Sequence, residues 1–200
     1  MVTAGPVRAA GLVLLLVVLA GCAGLPPAGD ADDPRWRARA AALSRLDQWQ
    51  ASGRIGVTRD NEAWSGSLDW RQTGERYAVD IVGPFGQGRL AVEGDADGVV
   101  LRAADGREFG AADADALIER ATGVNVPVRG LRDWVLGRPM PAQPARLVTD
   151  ADGRLQSLEQ AGWTVVYGAY EEGVALPLPT RLRATHGDVQ VRLAIERWTR

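Results

Sequence analysis

The sequence predicts a mainly β fold with a few helices, an antiparallel sheet curled around them. Three observations predict it. From Gly53 onward apolar residues alternate with polar ones at a period of two. Turn signals interrupt this alternation about every ten residues, giving about ten or eleven short strands. Only three helical stretches occur, too few and too segregated for a βαβ plan. One face of each strand is apolar and the other polar, which suits a sheet that covers something greasy on one side.

The first 21 residues stand outside this fold. Arg8 precedes the apolar run Leu12-Val13-Leu14-Leu15-Leu16-Val17-Val18-Leu19, and small residues follow. That is the layout of a secretory signal. The run is too short for a transmembrane helix, which needs about 20 apolar residues. Residues 22–33 carry Gly, Pro, Ala and Asp without periodicity and read as a flexible tether. The domain is then expected over residues 34–200.

Its first element is expected to be a helix over residues 34–50. Asp33 offers a cap and Pro34 a first-turn proline. Trp36, Ala40, Leu43 and Leu46 recur at helical spacing, and Ser52-Gly53 would end the helix. Arg35, Arg37, Arg39 and Arg45 would form a solvated face. Strands follow: Trp64, Gly66, Leu68 and Trp70 on one face; Tyr77, Val79 and Ile81; Leu90 and Val92; Val99 and Leu101. Asp105-Gly106 marks a two-residue hairpin. Residues 113–122 form a helix with an acidic first turn, stopped by Gly123, and residues 131–136 a second, stopped by Gly137. Strands resume at about residues 146–149, 155–160, 163–168, 180–185 and 189–198.

Composition narrows the function. The chain has 46% hydrophobic and 24% charged residues and a formal charge of −2. Every one of its 23 basic residues is arginine. Losing Arg8 with the signal takes the formal charge to −3. A nucleic-acid protein would show a basic excess. One cysteine and one histidine leave no disulfide framework and too few ligands for a structural zinc site. His186 lies in the turn Thr185-His186-Gly187-Asp188, where a histidine is ordinarily just solvated. No Gly-x-Ser-x-Gly elbow is present. Asp95, Asp97, Asp105, Asp150 and Asp152 sit in Gly-rich turns without calcium-loop spacing, so no metal is implied. Gly83 to Gly88 lacks the ending of a phosphate loop, and no cofactor is expected.

Leu19-Ala20-Gly21-Cys22 resembles a bacterial lipobox. The resemblance implies that Cys22 is diacylated and, after cleavage before it, acylated on its new amine. One chain binds a membrane only marginally, whereas several anchor it stably. Ala23, where an Asp would commonly retain the protein in the inner membrane, implies the outer membrane, at its periplasmic face.

The mature chain resembles the LolB family of outer-membrane lipoproteins. The resemblance rests on Trp49-Gln50-Ala51-Ser52-Gly53-Arg54-Ile55, on Leu68-Asp69-Trp70-Arg71-Gln72-Thr73-Gly74, and on Arg76-Tyr77 leading to Gly83-Pro84-Phe85-Gly86. It continues through residues 127–137, Trp163-Thr164-Val165-Val166-Tyr167-Gly168-Ala169-Tyr170 and Leu176-Pro177. It implies an unclosed antiparallel β-barrel whose helices plug or lid an apolar cavity for acyl chains. It also implies a monomer that takes acylated lipoproteins from the periplasmic carrier LolA and inserts them among outer-membrane phospholipids. No reaction is catalysed in that step.

Two sites follow. The bulky residues Trp70, Tyr77, Ile81, Leu90, Leu101, Trp134, Val165, Tyr167, Leu182 and Leu193 are the candidates for the cavity lining. The choice of face stays open, because a one-residue slip swaps the faces. The loop Gly83, Pro84, Phe85 and Gly86 is a turn with an aromatic at its tip. Phe85 either folds back over the barrel rim or stands exposed. The resemblance implies the second, since the family carries a protruding apolar residue there, usually Leu, for engaging the bilayer. The competing reading is an assembly lipoprotein that binds protein partners through its sheet edges and has no lipid-sized cavity.

Overall fold

The computed structural model describes residues 31–60, 62–86, 88–122 and 127–200. Residues 1–30, with the signal, Cys22 and most of the tether, lie outside the described residues. Helix α1 (Pro34–Leu43) leads into strands β1 (Gln48–Arg59), β2 (Glu62–Thr73), β3 (Arg76–Val82), β4 (Arg89–Gly94), β5 (Val99–Ala103) and β6 (Glu108–Ala111). Helices α2 (Ala114–Thr122) and α3 (Val128–Trp134) follow. Strands β7 (Ala145–Thr149), β8 (Leu155–Gln160), β9 (Trp163–Tyr170), β10 (Pro179–His186) and β11 (Val189–Thr199) complete the chain.

The eleven strands of the described residues form one sheet in the order β6-β5-β4-β3-β2-β1-β11-β10-β9-β8-β7, and every neighbouring pair is antiparallel. Strands β6 and β7 are its two edges, so the barrel is not closed. The inward faces and the helices share a large apolar cluster, and a smaller one forms under β4 and β5 against α2.

The first helix is shorter than the sequence predicts. Asp33 does cap it, accepting from the Arg35 amide at 2.7 Å. It ends at Leu43, however, and β1 starts at Gln48 and runs through Ser52-Gly53. Trp49 and Ala51 are buried between more exposed neighbours, a period of two. Trp49 packs between Trp70 and Trp198, with ring centroids 5.2 and 5.5 Å away. Residues 48–50, expected in the helix, are thus the entrance of a strand, because these aromatic partners come from β2 and β11. The uniformly solvated arginine face is corrected too. Arg39 is buried, stacks 5.3 Å from the Tyr170 ring and donates to the Pro177 carbonyl, which holds α1 onto the sheet.

Gly53 ends no helix; it permits a bulge. The pairing of β1 with β11 shifts between Ser52 and Gly53. A Cβ at Gly53 would fall onto the Ala194 carbonyl oxygen and 2.9 Å from the Ile195 Cα. Gly53→Ala is therefore expected to destabilise the fold by about 1–3 kcal/mol, as overpacking does. Equilibrium urea unfolding checks this, and a midpoint equal to that of the unaltered protein would show that β11 can move aside.

The helices fill the barrel unevenly. Trp134, at the end of α3, is fully buried and donates from Nε1 to the Gln160 Oε1 at 3.0 Å. Its carbonyl accepts from the Tyr167 hydroxyl at 3.0 Å, and its ring lies 6.0 Å from that of Trp163. Leu43, Val135, Leu136, Leu155, Leu158 and Leu178 are equally buried. The half of the barrel under β8–β10 is thus a dry, packed core. The half under β1–β4 receives only the edges of α2 and α3.

Candidate functional site

That unfilled half is a cavity of about 790 Å³. Its size falls in the range of about 300–1,000 Å³ usual for ligand sites. The walls come from the inward residues of five strands: Ile55 and Val57 of β1, Leu68 and Trp70 of β2, Val79 and Ile81 of β3, Leu90 and Val92 of β4, and Val191 and Leu193 of β11. Ile118 of α2 and Val128 and Leu131 of α3 close it from above. The two helices are tied together where the Val128 amide donates to the Asp115 carboxylate at 2.7 Å. Burial raises the pKa of that carboxyl against this hydrogen bond.

The polar residues of the wall are confined to one pole of the barrel. Arg59 and Glu62 flank the β1–β2 turn, and Gly88 and Arg89 lead into β4. By strand direction the loop between β3 and β4 sits at this same pole. The loop closes on itself: the Gly83 amide donates to the Gly88 carbonyl at 2.8 Å and the Gly86 amide to the Gly83 carbonyl at 3.2 Å. Pro84–Gly86 makes a short 3₁₀ turn. Phe85 is fully exposed at 101% and holds φ +58°, a region bulky residues seldom occupy. Trp64, 42% exposed, lines the cavity near the same pole.

The structure separates the ten candidates for the lining. Trp70, Ile81, Leu90 and Leu193 face the cavity. Trp134, Val165, Tyr167 and Leu182 do not: they belong to the packed half, which the helices fill. Burial there pushes the Tyr167 hydroxyl pKa well up, so its hydrogen bond to Trp134 stays. Leu101 is buried in the smaller cluster with Leu117, and Tyr77 packs at the margin of that cluster. Sequence reasoning missed Ile55, Val57, Trp64, Leu68, Val79, Val92, Val191 and the three helix residues. Leu68 shares the parity of Trp70, and Val191 that of Leu193, so their face was visible. The helix residues carried no local signal.

His186 is exposed and stacks on Trp163 with centroids 5.3 Å apart, away from the cavity lining. The aspartates of the Gly-rich turns cap their own backbones. Asp95 accepts from the Asp97 and Gly98 amides, and Asp150 from those of Asp152 and Arg154.

A family model described as outer membrane lipoprotein LolB matches residues 47–198. The chain belongs to the LolB family. It is 38% identical over 188 residues to the outer-membrane lipoprotein LolB of Pseudomonas putida strain KT2440, covering 92% of each chain. To the LolB of Alkalilimnicola ehrlichii it is 39% identical over 196 residues, covering 98% of this chain and 97% of that one. Among solved structures it is similar in fold to a DUF1329 family protein from Desulfovibrio piger. There the TM-score is 0.52 at 8% identity, covering 82% of this chain and 90% of that one. The protein is thus an outer-membrane lipoprotein of the lipoprotein-sorting system. The LolB family is not a known family of enzymes. The matched stretch includes every strand from β1 to β10 and all but the last residue of β11, hence the whole cavity wall and the whole Phe85 loop.

Proposed function

We propose that this LolB-family protein accepts acylated lipoproteins from the periplasmic carrier LolA, shelters their acyl chains in the cavity, and inserts them into the outer membrane. In this reading Cys22 carries the acyl anchor and Ala23 leaves the anchor in the outer membrane. The observation that carries the proposal is the coincidence at one pole. An apolar cavity of about 790 Å³ runs out toward the end of the barrel where Phe85 stands in solvent. An assembly protein that bound partners through its sheet edges would need no such space.

The energetics suit transfer without catalysis. Taking an acyl chain out of water is worth about 0.8 kcal/mol per CH₂. A bilayer offers the same gain, so moving from bilayer to cavity gains nothing net. The cavity therefore competes with a carrier of similar quality and yields to the membrane. Nothing in that cycle consumes a nucleotide. Arg59 and Glu62 leave a polar rim where the cargo's polypeptide would emerge.

The test is direct transfer. Carrier loaded with a triacylated lipoprotein is mixed with this protein, and the two are separated. Cargo is expected on this protein, and an apolar fluorescent probe bound in its cavity is expected to be displaced by a triacylated peptide. Cargo that stays on the carrier, with a probe that no lipid-like ligand displaces, would refute the proposal.

A further inference from the structure

The convex face of the sheet carries a second feature. There, several arginines are paired with carboxylates, within a strand or across neighbouring ones. Arg71 pairs with Asp69 at 3.5 Å, Arg89 with Asp80, Arg102 with Glu93 at 3.1 Å and Glu108 at 2.6 Å, and Arg146 with Glu159 at 3.9 Å. Among those without an ion pair, which include the separate Arg76 and Arg197, four cluster around one depression. Arg54 of β1, Arg192 of β11, and Arg181 and Arg183 of β10 all point outward, are exposed, and make no ion pair among the described residues. Arg183 lies directly opposite Arg192 in the ladder. Like charges so placed destabilise a sheet. The four surround a depression of about 450 Å³, left open because Gly56 and Gly168 bring no side chain to its floor. A concentrated positive charge with room at its centre, on a chain of net negative charge, is a site for an anion.

The two proposed membrane attachments favour a lipid phosphate as that anion. The start of α1 packs on the β7–β8 turn, where a Cβ at Gly153 would lie 2.7 Å from the Arg35 carbonyl carbon. That turn is at the pole opposite the Phe85 loop. The 12 residues of β1, at about 3.3 Å each and tilted by about 40°, put roughly 30 Å between the poles. From Cys22 to Asp33 the chain can span at most about 36–40 Å. A tether of that reach lets the domain lie along the membrane on its flank while it is anchored at one pole and touches the bilayer at the other. This step rests on the proposed roles of Cys22 and Phe85.

We propose that Arg54, Arg181, Arg183 and Arg192 form a headgroup site, in which the depression over Gly56 and Gly168 takes the phosphates of anionic lipids and seats the domain on its convex flank.

The test uses the chain from residue 22 on, with Cys22→Ser so that no acyl chain contributes; every core residue lies within it. Binding is measured by co-sedimentation with phosphatidylethanolamine vesicles with and without phosphatidylglycerol. Each arginine near an anionic surface is worth about fivefold in affinity. Arg183→Gln with Arg192→Gln is expected to lower binding to the anionic vesicles about 25-fold. Gly56→Leu, whose Cβ has only the Trp64 carbonyl within reach at 3.8 Å, is expected to weaken binding with the charge intact. Arg146→Gln is expected to change it less than about twofold. The double variant should melt no lower than the parent, since it removes an opposed pair of like charges. Free inorganic phosphate at the vesicles' phosphate concentration is expected not to compete. Competition by it would show a site for free phosphate and overturn the lipid assignment. Unchanged binding by the double variant, or an equal loss from Arg146→Gln, would also overturn the proposal. So would normal vesicle binding with lost uptake from LolA, which would make the patch a protein-docking surface. Cargo transfer is scored separately, so failure of the headgroup site and failure of the cavity reading are distinguishable.

Discussion

Phe85→Glu is expected to take cargo from LolA at the unaltered rate and to deliver it to liposomes about 10- to 100-fold more slowly. The magnitude follows from burying a Phe side chain, about 1.5–3 kcal/mol, if the ring enters the bilayer when cargo leaves. The division between the two steps follows from position. Phe85 is fully exposed at the tip of a loop and is absent from the cavity wall. Its removal costs no packing, so stability should not fall. The backbone supports a functional role as well, because φ +58° at a bulky residue is a strained state that the loop's hydrogen bonds maintain. Phe85→Gly relieves that strain and is expected to raise the unfolding midpoint while impairing delivery as Phe85→Glu does. Phe85→Leu, which keeps an apolar tip, should retain most delivery. Equal loss of acceptance and delivery in Phe85→Glu, measured with the same labelled lipoprotein, would contradict this division.

Val57→Trp is expected to do the reverse and abolish acceptance first. Val57 is half-buried and faces the cavity from β1, opposite Trp64 in the ladder. An indole there occupies acyl-chain space without adding charge. Displacing about three methylenes at about 0.8 kcal/mol each costs about 2.4 kcal/mol, roughly a 60-fold loss of cargo affinity. Because the indole enters existing space, the fold should retain its melting temperature within a few degrees. Titration of the protein with a fluorescent acyl probe measures the loss. Undiminished probe affinity, with the variant folded, would mean that the acyl chain lies elsewhere.

The strands and their inward faces were legible because alternation is a local signal. Leu68 and Trp70, or Val191 and Leu193, declare a common face whatever lies beneath it. What lies beneath is a nonlocal matter. Trp70 and Val165 have the same kind of pattern, yet one faces a cavity and the other a packed core. The difference is made by α1 and α3, which press Trp36, Leu43 and Trp134 into one half of the barrel and leave the other half open. The end of the first helix was illegible for the same reason. Trp49 reads equally as a helix or strand residue until Trp70 and Trp198 are brought beside it. Phe85 was legible only in part: a turn with Pro and three glycines placed the aromatic at a loop tip, either folded over the rim or exposed, and the resemblance alone implied exposure.

One cross-linking measurement reaches the division of the barrel into a hollow half and a packed half. A photoreactive side chain is placed at Leu90, in the cavity wall, and separately at Val165, in the packed half. Each protein is loaded with a lipoprotein carrying labelled acyl chains and illuminated. Labelled acyl chains should become attached at residue 90 and not at residue 165. Attachment at residue 165 alone, or equally at both, would contradict the assignment of the cavity as the acyl-chain site.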